Sequence, residues 1–184
     1  MVYGPSGSGK STLALRLAER LSLPVVDLDH IYHPGPTWAQ DLSVEEFRRQ
    51  VLAMLAAHPD GWVIAGNYSG VRDLILPKAE TAIWLKLPFF TVYRRLAWRT
   101  VSRAVTGQEL FNGLHESLHQ TFFTRDSMLW WGISAWKPHH KGVGQSLGAE
   151  GLRARVYRLR TSGQVSYLLE NAMSCSPTSI DTAS

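Results

Sequence analysis

Short apolar runs alternate along this chain with longer segments whose apolar residues recur every three or four positions. The short runs have the length and composition of buried strands, and they cover residues 23–29, 61–66, 81–87 and 155–160. Val2 and Tyr3 stand where a further, very short strand would precede the glycine-rich residues 4–11. The spacing therefore predicts five strands.

Helical spacing fills most of the intervals between these strands. The pattern predicts helices over residues 11–21, 71–76, 89–105, 115–136 and 164–172. Another helix begins at a capping box of Ser43 and Glu46 and runs to about residue 57. Residues 137–151 are rich in Gly and His, which predicts a loop, and residues 174–184 predict a disordered tail.

Strands that alternate with helices form parallel βαβ units, because each crossover returns the chain to the same end of the sheet. The sequence therefore predicts a three-layer α/β/α fold with a parallel five-stranded sheet. The chain has 184 residues, and we expect one domain over residues 1–173. A helical lid is expected over about residues 100–150.

The segment between the first strand and the first helix satisfies the pattern Gly-x-x-x-x-Gly-Lys-Ser/Thr, the Walker A phosphate loop. Its glycines let successive N–H groups form an anion nest at the positive end of the following helix. Lys10 would reach the β- and γ-phosphates, and the Ser11 hydroxyl would ligate Mg²⁺. The motif predicts a P-loop NTPase fold in which ATP and Mg²⁺ are bound by Gly4, Ser6, Gly7, Ser8, Gly9, Lys10, Ser11 and Thr12.

Two carboxylates end the second predicted strand, at the sheet edge where ligands bind in open α/β folds. Of Asp27 and Asp29, one could hold Mg²⁺ through water, and the other could accept a hydroxyl proton from a phosphoryl acceptor. For Asp27, a residue that simply starts the next turn is an equally good interpretation. For Asp29, a functional role is favoured.

Polar residues also follow the third predicted strand at the same edge. Asn67 and Tyr68 come first, and Arg72 carries a side chain suited to a bidentate grip on phosphate or carboxylate. With Asp27, these residues are candidates for substrate binding. Two alternatives stay open, a turn role for Asn67 and a weak surface pair of Arg72 with its neighbour Asp73.

Basic residues are concentrated in the second half of the chain. Residues 94–160 hold 11 Lys or Arg against 4 Asp or Glu, whereas the rest of the chain holds 8 against 11. Arg95, Arg99 and Arg103 are four apart and share a helix face, and Arg125 follows them. Guanidinium groups beside a phosphate loop can neutralise charge that develops during phosphoryl transfer, although a solvated basic face would show the same pattern.

The remaining composition narrows the class of protein. Cys175 is the single cysteine, so no internal disulfide can form and a reducing, cytoplasmic setting is expected. No run of about 18 uncharged apolar residues is present and no secretory signal is recognised. We expect a monomer without a membrane partner. His30 and His33 lack a third ligand, and His139 and His140 fall in the predicted loop, so no structural zinc is expected.

Several stretches taken together resemble one family. GPSGSGKST, LDHIYH, WVIAGNYSGVRD, AIWLKLP, RRLAWRT, TRDS and VYRLRT resemble the adenylate-kinase-like P-loop proteins known as DNA topology modulation (FlaR-type) proteins, over about residues 1–172. The chain is more distantly similar to shikimate and gluconate kinases. The resemblance implies that Asp29 meets the acceptor and that Arg95, Arg99 and Arg125 grip the transferring phosphate from a lid. It also implies that the chain runs beside the adenine ring at Arg160 and Thr161.

The chain departs from that family at three places. Three residues precede Gly4 where relatives usually carry a full strand. Ala65 stands where relatives often have an acidic residue. Residues 112–116 read Asn-Gly-Leu-His-Glu where relatives often show Asn-Arg-Glu, so a lid arginine of that motif is missing.

These residues together predict ATP-dependent phosphoryl transfer to a small hydroxyl, nucleoside or nucleotide acceptor. Lys10 would grip the phosphates, Ser11 would hold Mg²⁺, and Asp29 would orient or deprotonate the acceptor. The alternative is a nucleotide-binding regulatory protein that acts on DNA or on a partner protein. Nucleic acid is not the favoured partner, because the net charge of +4 is modest and no DNA-binding motif is recognised.

Overall fold

The computed structural model of the protein describes residues 1–35, 40–106, 136–149 and 152–172. The strands are β1 (Val2–Tyr3), β2 (Val25–Asp27), β3 (Val63–Ala65), β4 (Thr81–Leu85) and β5 (Arg155–Leu159). The helices are α1 (Lys10–Leu21), α2 (Leu28–Tyr32), α3 (Val44–Ala57), α4 (Arg72–Ile75), α5 (Phe89–Thr106), α6 (Trp136–Leu147) and α7 (Ser162–Glu170). Short 3₁₀ turns, Ser69–Val71 and Leu76–Lys78, flank α4.

The five strands form one sheet in the order β2-β3-β1-β4-β5, and every neighbouring pair is parallel. The predicted parallel five-stranded sheet is therefore confirmed. Because all strands run the same way, their carboxyl ends meet at one edge. The phosphate loop leaves β1 at the centre of that edge, and the residues that follow β2 and β3 lie beside it.

Helices cover both faces of the sheet, and successive strand residues point to opposite faces. One apolar core packs α1 and α7 against Val2, Val63 and Ile83. The other packs α3, α4 and α6 against Tyr3 and Ile64, together with Ala82 and Trp84. The arrangement confirms the predicted three-layer α/β/α architecture.

β1 is as short as the sequence indicates, yet it occupies the centre of the sheet. Val2 and Tyr3 are 0% and 1% exposed, which places them among the most buried residues described. The flanking strands bond to the backbone on both sides. The Ile83 N–H donates to the Met1 carbonyl at 2.8 Å, and the Gly66 N–H donates to the Val2 carbonyl at 3.2 Å. These contacts hold β1 at the centre of the sheet, directly before the phosphate loop.

The second strand ends earlier than the sequence pattern predicts. Residues 23–29 were expected as one strand, but β2 stops at Asp27 and α2 begins at Leu28. The Asp27 side chain caps this helix by accepting from the Asp29 N–H at 3.1 Å. An N-cap aspartate satisfies a helix-end donor, so the chain turns here instead of extending. Asp29 consequently lies in the first turn of a helix.

The prediction of a loop over residues 137–151 is wrong, because α6 occupies most of that range. Pro138 is tolerated in the first turn, where backbone N–H groups have no helical partner. Val143 and Leu147 are four apart, and both are buried in the core beside Trp84. Gly144 faces Trp84, and a Cβ at that position would lie at an ordinary van der Waals distance of 3.5 Å from the ring. Tertiary packing has overridden low helix propensity.

Two smaller expectations have mixed outcomes. Ser43 caps α3 by accepting from the Glu46 N–H at 3.2 Å, but the Glu46 carboxylate pairs with Arg49 and Gln50, so the interaction is half a capping box. A complete capping box joins Thr161 and Gln164 at the start of α7.

No described helix is long and apolar enough to span a membrane. The predicted helix over 115–136, most of the lid and the tail lie outside the described residues.

Candidate functional site at the phosphate loop

The phosphate loop wraps around the N-terminal end of α1, and Gly9 is the residue that caps this helix. The Ser8 N–H donates to the Pro5 carbonyl at 3.1 Å, which closes a turn inside the loop. Ser8 is 3% exposed, whereas Ser11 and Thr12 are exposed on the first turn of α1. The loop therefore presents the helix end and two hydroxyl groups to the outside, as an anion site requires.

Two glycines of the loop have backbone angles that other residues rarely adopt. Gly7 has φ of 83° and Gly9 has φ of 89°. A Cβ on Gly7 would lie 2.7 Å from the Val92 carbonyl and 2.9 Å from the Leu96 Cβ, both on α5. A Cβ on Gly9 would meet no protein atom within 4 Å. Gly7 is thus needed for packing, whereas the space beside Gly9 is open to a ligand.

Ser11 and Asp27 meet at the mouth of the loop. The Ser11 hydroxyl donates to Asp27 Oδ2 at 2.5 Å, while Asp27 Oδ1 caps α2. Asp27 therefore begins the next turn, which was one of the two interpretations of this residue. It also contacts the phosphate loop through Ser11. A hydroxyl beside a carboxylate is a set of hard oxygen donors, which suits Mg²⁺. The described residues contain no cluster of three or more His, Cys, Asp or Glu that could hold a metal ion.

Asp29 lies opposite the loop and connects it to the strand next to β1. Asp29 Oδ2 is 3.4 Å from the ammonium of Lys10, and the Tyr68 hydroxyl donates to Asp29 Oδ1 at 2.8 Å. The side chains of Lys10 and Asp29 are only 11% and 20% exposed. The structure thus brings together three of the predicted site residues, Lys10, Asp29 and Tyr68.

Tyr68 is held in its neutral form. Burial raises the pKa of its phenol, and the negative charge of Asp29 raises it further. The Tyr68 oxygen also lies 3.3 Å from His33 Nε2, and His33 Nδ1 lies 2.5 Å from Asp41 Oδ1. His33 and Asp41 were not among the predicted site residues. Their spacing of eight along the chain carries no local signal that would have revealed the contact.

Arg72 and Asn67 connect the same edge to α6. Arg72 donates to the Gly142 carbonyl at 2.9 Å, to the Ser146 hydroxyl at 2.7 Å and to Asn67 Oδ1 at 3.2 Å. The Asn67 amide nitrogen also contacts His139 Nδ1. The suggested surface pair of Arg72 with Asp73 is wrong, because Asp73 pairs with Arg48 at 2.7 Å. Arg72 instead forms hydrogen bonds with α6 and holds this helix beside the site.

His139 belongs to the site as well, and its placement in a flexible loop is wrong because it lies on α6. Its pKa is lowered to about 3, first by burial and then by the positive charges of His140, Lys10 and Arg72. His139 is therefore neutral at physiological pH. The electrostatic contact with Lys10 places this imidazole near the phosphate loop, a feature that the sequence pattern did not reveal.

Two of the predicted arginines lie on one helix, as their spacing predicts. Arg95 and Arg99 lie one turn apart on α5, and Arg95 donates to the Ser162 hydroxyl at 3.0 Å. Arg160 follows β5 and lies two residues before Ser162. Its backbone N–H donates to Gln164 Oε1 at 2.6 Å. Arg95 therefore lies beside the segment expected to pass the adenine ring. The side chain of Arg103 and all of Arg125 lie outside the described residues.

Comparison with known proteins identifies short matching segments in cytidylate kinases. The chain is 35% identical over 85 residues to the cytidylate kinase of Shewanella pealeana, which covers 46% of this chain and 37% of that protein. It is also 35% identical over 81 residues to the cytidylate kinase of Pseudomonas fluorescens, covering 44% of this chain and 35% of that protein. The match thus spans little more than a third of these relatives.

A family profile extends the match over more than half of the chain, and a solved structure has a similar fold. The shikimate kinase of Acinetobacter baumannii in complex with shikimate has a TM-score of 0.51 at 17% identity, covering 94% of this chain and 88% of that chain. The shikimate kinase of Bacteroides thetaiotaomicron has a TM-score of 0.48 at 18% identity, covering 94% of both chains. The family described as shikimate kinase matches residues 6–128. This chain, with its nucleotide-binding P-loop and parallel five-stranded sheet, therefore belongs to the shikimate kinase family of P-loop kinases.

Proposed function

We propose that the protein is an ATP-dependent phosphotransferase that moves the γ-phosphoryl group of ATP to a small acceptor. The observation that carries the proposal is the position of Asp29, whose Oδ2 lies 3.4 Å from Lys10 across the mouth of the phosphate loop. A carboxylate at that place can accept or orient a hydroxyl that attacks the γ-phosphate. The family membership supports the same type of reaction.

The proposed roles follow from the contacts. Lys10 leaves Asp29 to reach the β- and γ-phosphates when ATP binds, since the phosphates carry more negative charge than one carboxylate. Asp29 Oδ2 then becomes available to the acceptor. Arg95 and Arg99 stabilise charge on the nucleotide from α5, with Arg125 as a further candidate, and Arg160 lies at the adenine end. Asp27, Asn67, Tyr68 and Arg72 line the acceptor side.

Ser11 and Asp27 are the residues that would hold Mg²⁺, Ser11 directly and Asp27 through water, because their oxygen atoms already meet at 2.5 Å. When bound, Mg²⁺ supplies positive charge that offsets charge on the transferring phosphate. One cysteine in 184 residues fits a protein that works in the reducing cytoplasm. We propose a monomeric enzyme with both substrates bound at this edge.

The acceptor is proposed only as a class, a small hydroxyl, nucleoside or nucleotide compound. The names of the relatives suggest which compounds to test first, shikimate and cytidine nucleotides. ADP release would be measured with MgATP and each compound of a panel that also holds other nucleoside monophosphates, nucleosides and sugar acids. We expect one compound to raise ADP release with wild-type protein and not with Lys10→Ala. If none raised it above the rate without acceptor, the kinase proposal would be abandoned.

A second candidate function is a nucleotide-binding regulator of the DNA topology modulation (FlaR-type) kind. The observation that favours it is the sheet edge at β5, where four arginines are exposed, Arg153 and Arg155 on one face and Arg158 and Arg160 on the other. Arginines at an exposed edge can contact phosphates of a nucleic-acid backbone. Duplex DNA that is retarded at physiological ionic strength, both by wild type and by Lys10→Ala, would favour this function. No retardation would remove it.

A further inference from the structure

We propose that Tyr68, His33 and Asp41 form a hydrogen-bonded relay that positions Asp29 for the acceptor. The proposal deepens the phosphotransferase function and rests on it for its purpose. The relay consists of three contacts in series. They are Tyr68 to Asp29 at 2.8 Å, Tyr68 to His33 at 3.3 Å and His33 to Asp41 at 2.5 Å. Together they join the segments after β2 and β3 with the loop before α3.

The Tyr68 hydroxyl has only one proton to donate, and the geometry assigns it to Asp29. The contact with Asp29 is the shorter of its two, and a neutral phenol can donate while its oxygen still accepts. Burial and the charge of Asp29 both raise the pKa of Tyr68, so the phenol keeps that proton. The hydrogen bond to a carboxylate is charge-assisted and hence stronger than a neutral one.

His33 completes the series because its two ring nitrogens face different partners. Nδ1 faces the Asp41 carboxylate, which accepts only, so Nδ1 carries a proton. Nε2 faces the Tyr68 oxygen, whose proton is directed to Asp29. The ionisable groups that contact the His33 ring include Asp41 from the loop, Tyr68 from the segment after β3 and Tyr32 from α2.

Aromatic packing holds Tyr68 in place. Its ring centroid lies 4.9 Å from that of Tyr32 and 5.1 Å from that of Phe47. Tyr32 in turn meets His33 edge-on at 4.9 Å. Because the ring is fixed on several sides, its hydroxyl cannot follow Asp29 if that carboxylate rotates. A fixed donor is what an oriented base needs.

The two carboxylate oxygens of Asp29 consequently have different partners and different proposed roles. Oδ2 pairs with Lys10, which the phosphates of ATP would draw away, while Oδ1 stays bonded to Tyr68. The relay therefore keeps the carboxylate oriented at the moment when Lys10 releases it. Tyr68, His33 and Asp41 act through Asp29 and are positioning residues.

Selective ¹⁵N labelling of histidine allows the relay to be tested without any acceptor. Long-range ¹⁵N–¹H spectra at neutral pH would follow the Nε2 signal of His33 in wild type, Asp29→Asn, Tyr68→Phe and Tyr32→Phe. Tyr68→Phe keeps the ring contacts and removes the hydroxyl. Tyr32→Phe removes a phenol hydroxyl from the same aromatic cluster and is the matched control. We expect Asp29→Asn and Tyr68→Phe to shift the signal clearly more than Tyr32→Phe does. An Asp29→Asn spectrum identical to that of Tyr32→Phe would overturn the relay, whether or not the protein is a kinase.

A kinetic measurement tests what the relay does, with water as the acceptor in slow ATP hydrolysis. Tyr68→Phe should lower kcat about tenfold or more, the effect of losing one hydrogen bond to a charged group, while the KM for ATP stays unchanged. His33→Gln, which keeps a polar group near the Nε2 position, should retain more activity than His33→Ala. Equal kcat for Tyr68→Phe and Tyr32→Phe would overturn the positioning role. If wild type released no ADP either with water or with any compound of the acceptor panel, the phosphotransferase proposal would fail, and the histidine spectra alone would decide whether the relay exists.

Discussion

Alanine at Gly7 and at Gly9 should destabilise the protein to different extents, although both residues belong to one loop and share one backbone conformation. Their φ values are 83° and 89°. Forcing a residue with a Cβ into this left-handed region costs about 1–2 kcal/mol. Gly9→Ala should therefore reduce the free energy of unfolding by about that amount, because its Cβ would meet no protein atom within 4 Å.

Gly7→Ala carries an additional packing cost. Its Cβ would lie 2.7 Å from the Val92 carbonyl and 2.9 Å from the Leu96 Cβ, so α5 or the loop must move. Overpacking of this kind costs about 1–3 kcal/mol. The sum for Gly7→Ala is roughly 2–5 kcal/mol, and the difference between the two variants isolates the packing of α5 against the loop.

Urea unfolding and calorimetric titration with MgATP distinguish the two effects. Gly9→Ala should stay folded, yet its affinity for MgATP should fall more than tenfold, about 1.4 kcal/mol, because the methyl group enters the space left for phosphate. Equal losses of stability in the two variants would refute the packing argument. Wild-type MgATP affinity in Gly9→Ala would refute the assignment of that space to the nucleotide.

Three further predictions concern single contacts of the site. Lys10→Ala should abolish detectable MgATP binding in calorimetry while the urea midpoint changes little, since Asp29 keeps Tyr68 as a partner; unchanged affinity would contradict the role of Lys10. Arg72→Ala should speed hydrogen exchange of α6 amides about tenfold or more, because three hydrogen bonds to Gly142, Ser146 and Asn67 are lost, whereas Asp73→Ala should not. His139 has its pKa lowered from 6.5 to about 3, first by burial. Between these values the unfolded state binds the extra proton, so the free energy of unfolding should fall as the pH drops from 6.5, by up to about 1.4 kcal/mol per pH unit. Urea curves of His139→Gln should lack this part of the slope, and an unchanged slope would contradict the burial of a neutral His139.

The sequence predicts the sheet because the controlling forces are local or periodic. Residues 63–65 form a continuous buried run, as expected for a strand covered on both faces. The phosphate loop is equally predictable, since its glycines and Lys10 are contiguous. The capping box of Thr161 and Gln164 could also have been predicted, because a Thr followed by Gln three residues later is its signature.

The rest of the site depends on contacts between distant positions. Ser146 is 74 residues from Arg72, and Tyr68 is 39 residues from Asp29. The spacing along the chain therefore predicts neither contact. The helix α6 was missed for a related reason. Its glycines and Pro138 argue against a helix locally, while the burial of Val143 and Leu147 that stabilises it exists only in the folded chain.

The destination of the γ-phosphoryl group tests the proposed phosphotransferase most directly. ATP labelled in its γ-phosphate would be mixed with wild-type protein, Lys10→Ala and Asp29→Asn, together with the acceptor panel, and the labelled products would be separated. The proposed function predicts label on one acceptor with wild type, none with Lys10→Ala and much slower transfer with Asp29→Asn. Label that stayed in ATP, or that appeared only as inorganic phosphate at the same rate in wild type and Asp29→Asn, would contradict it.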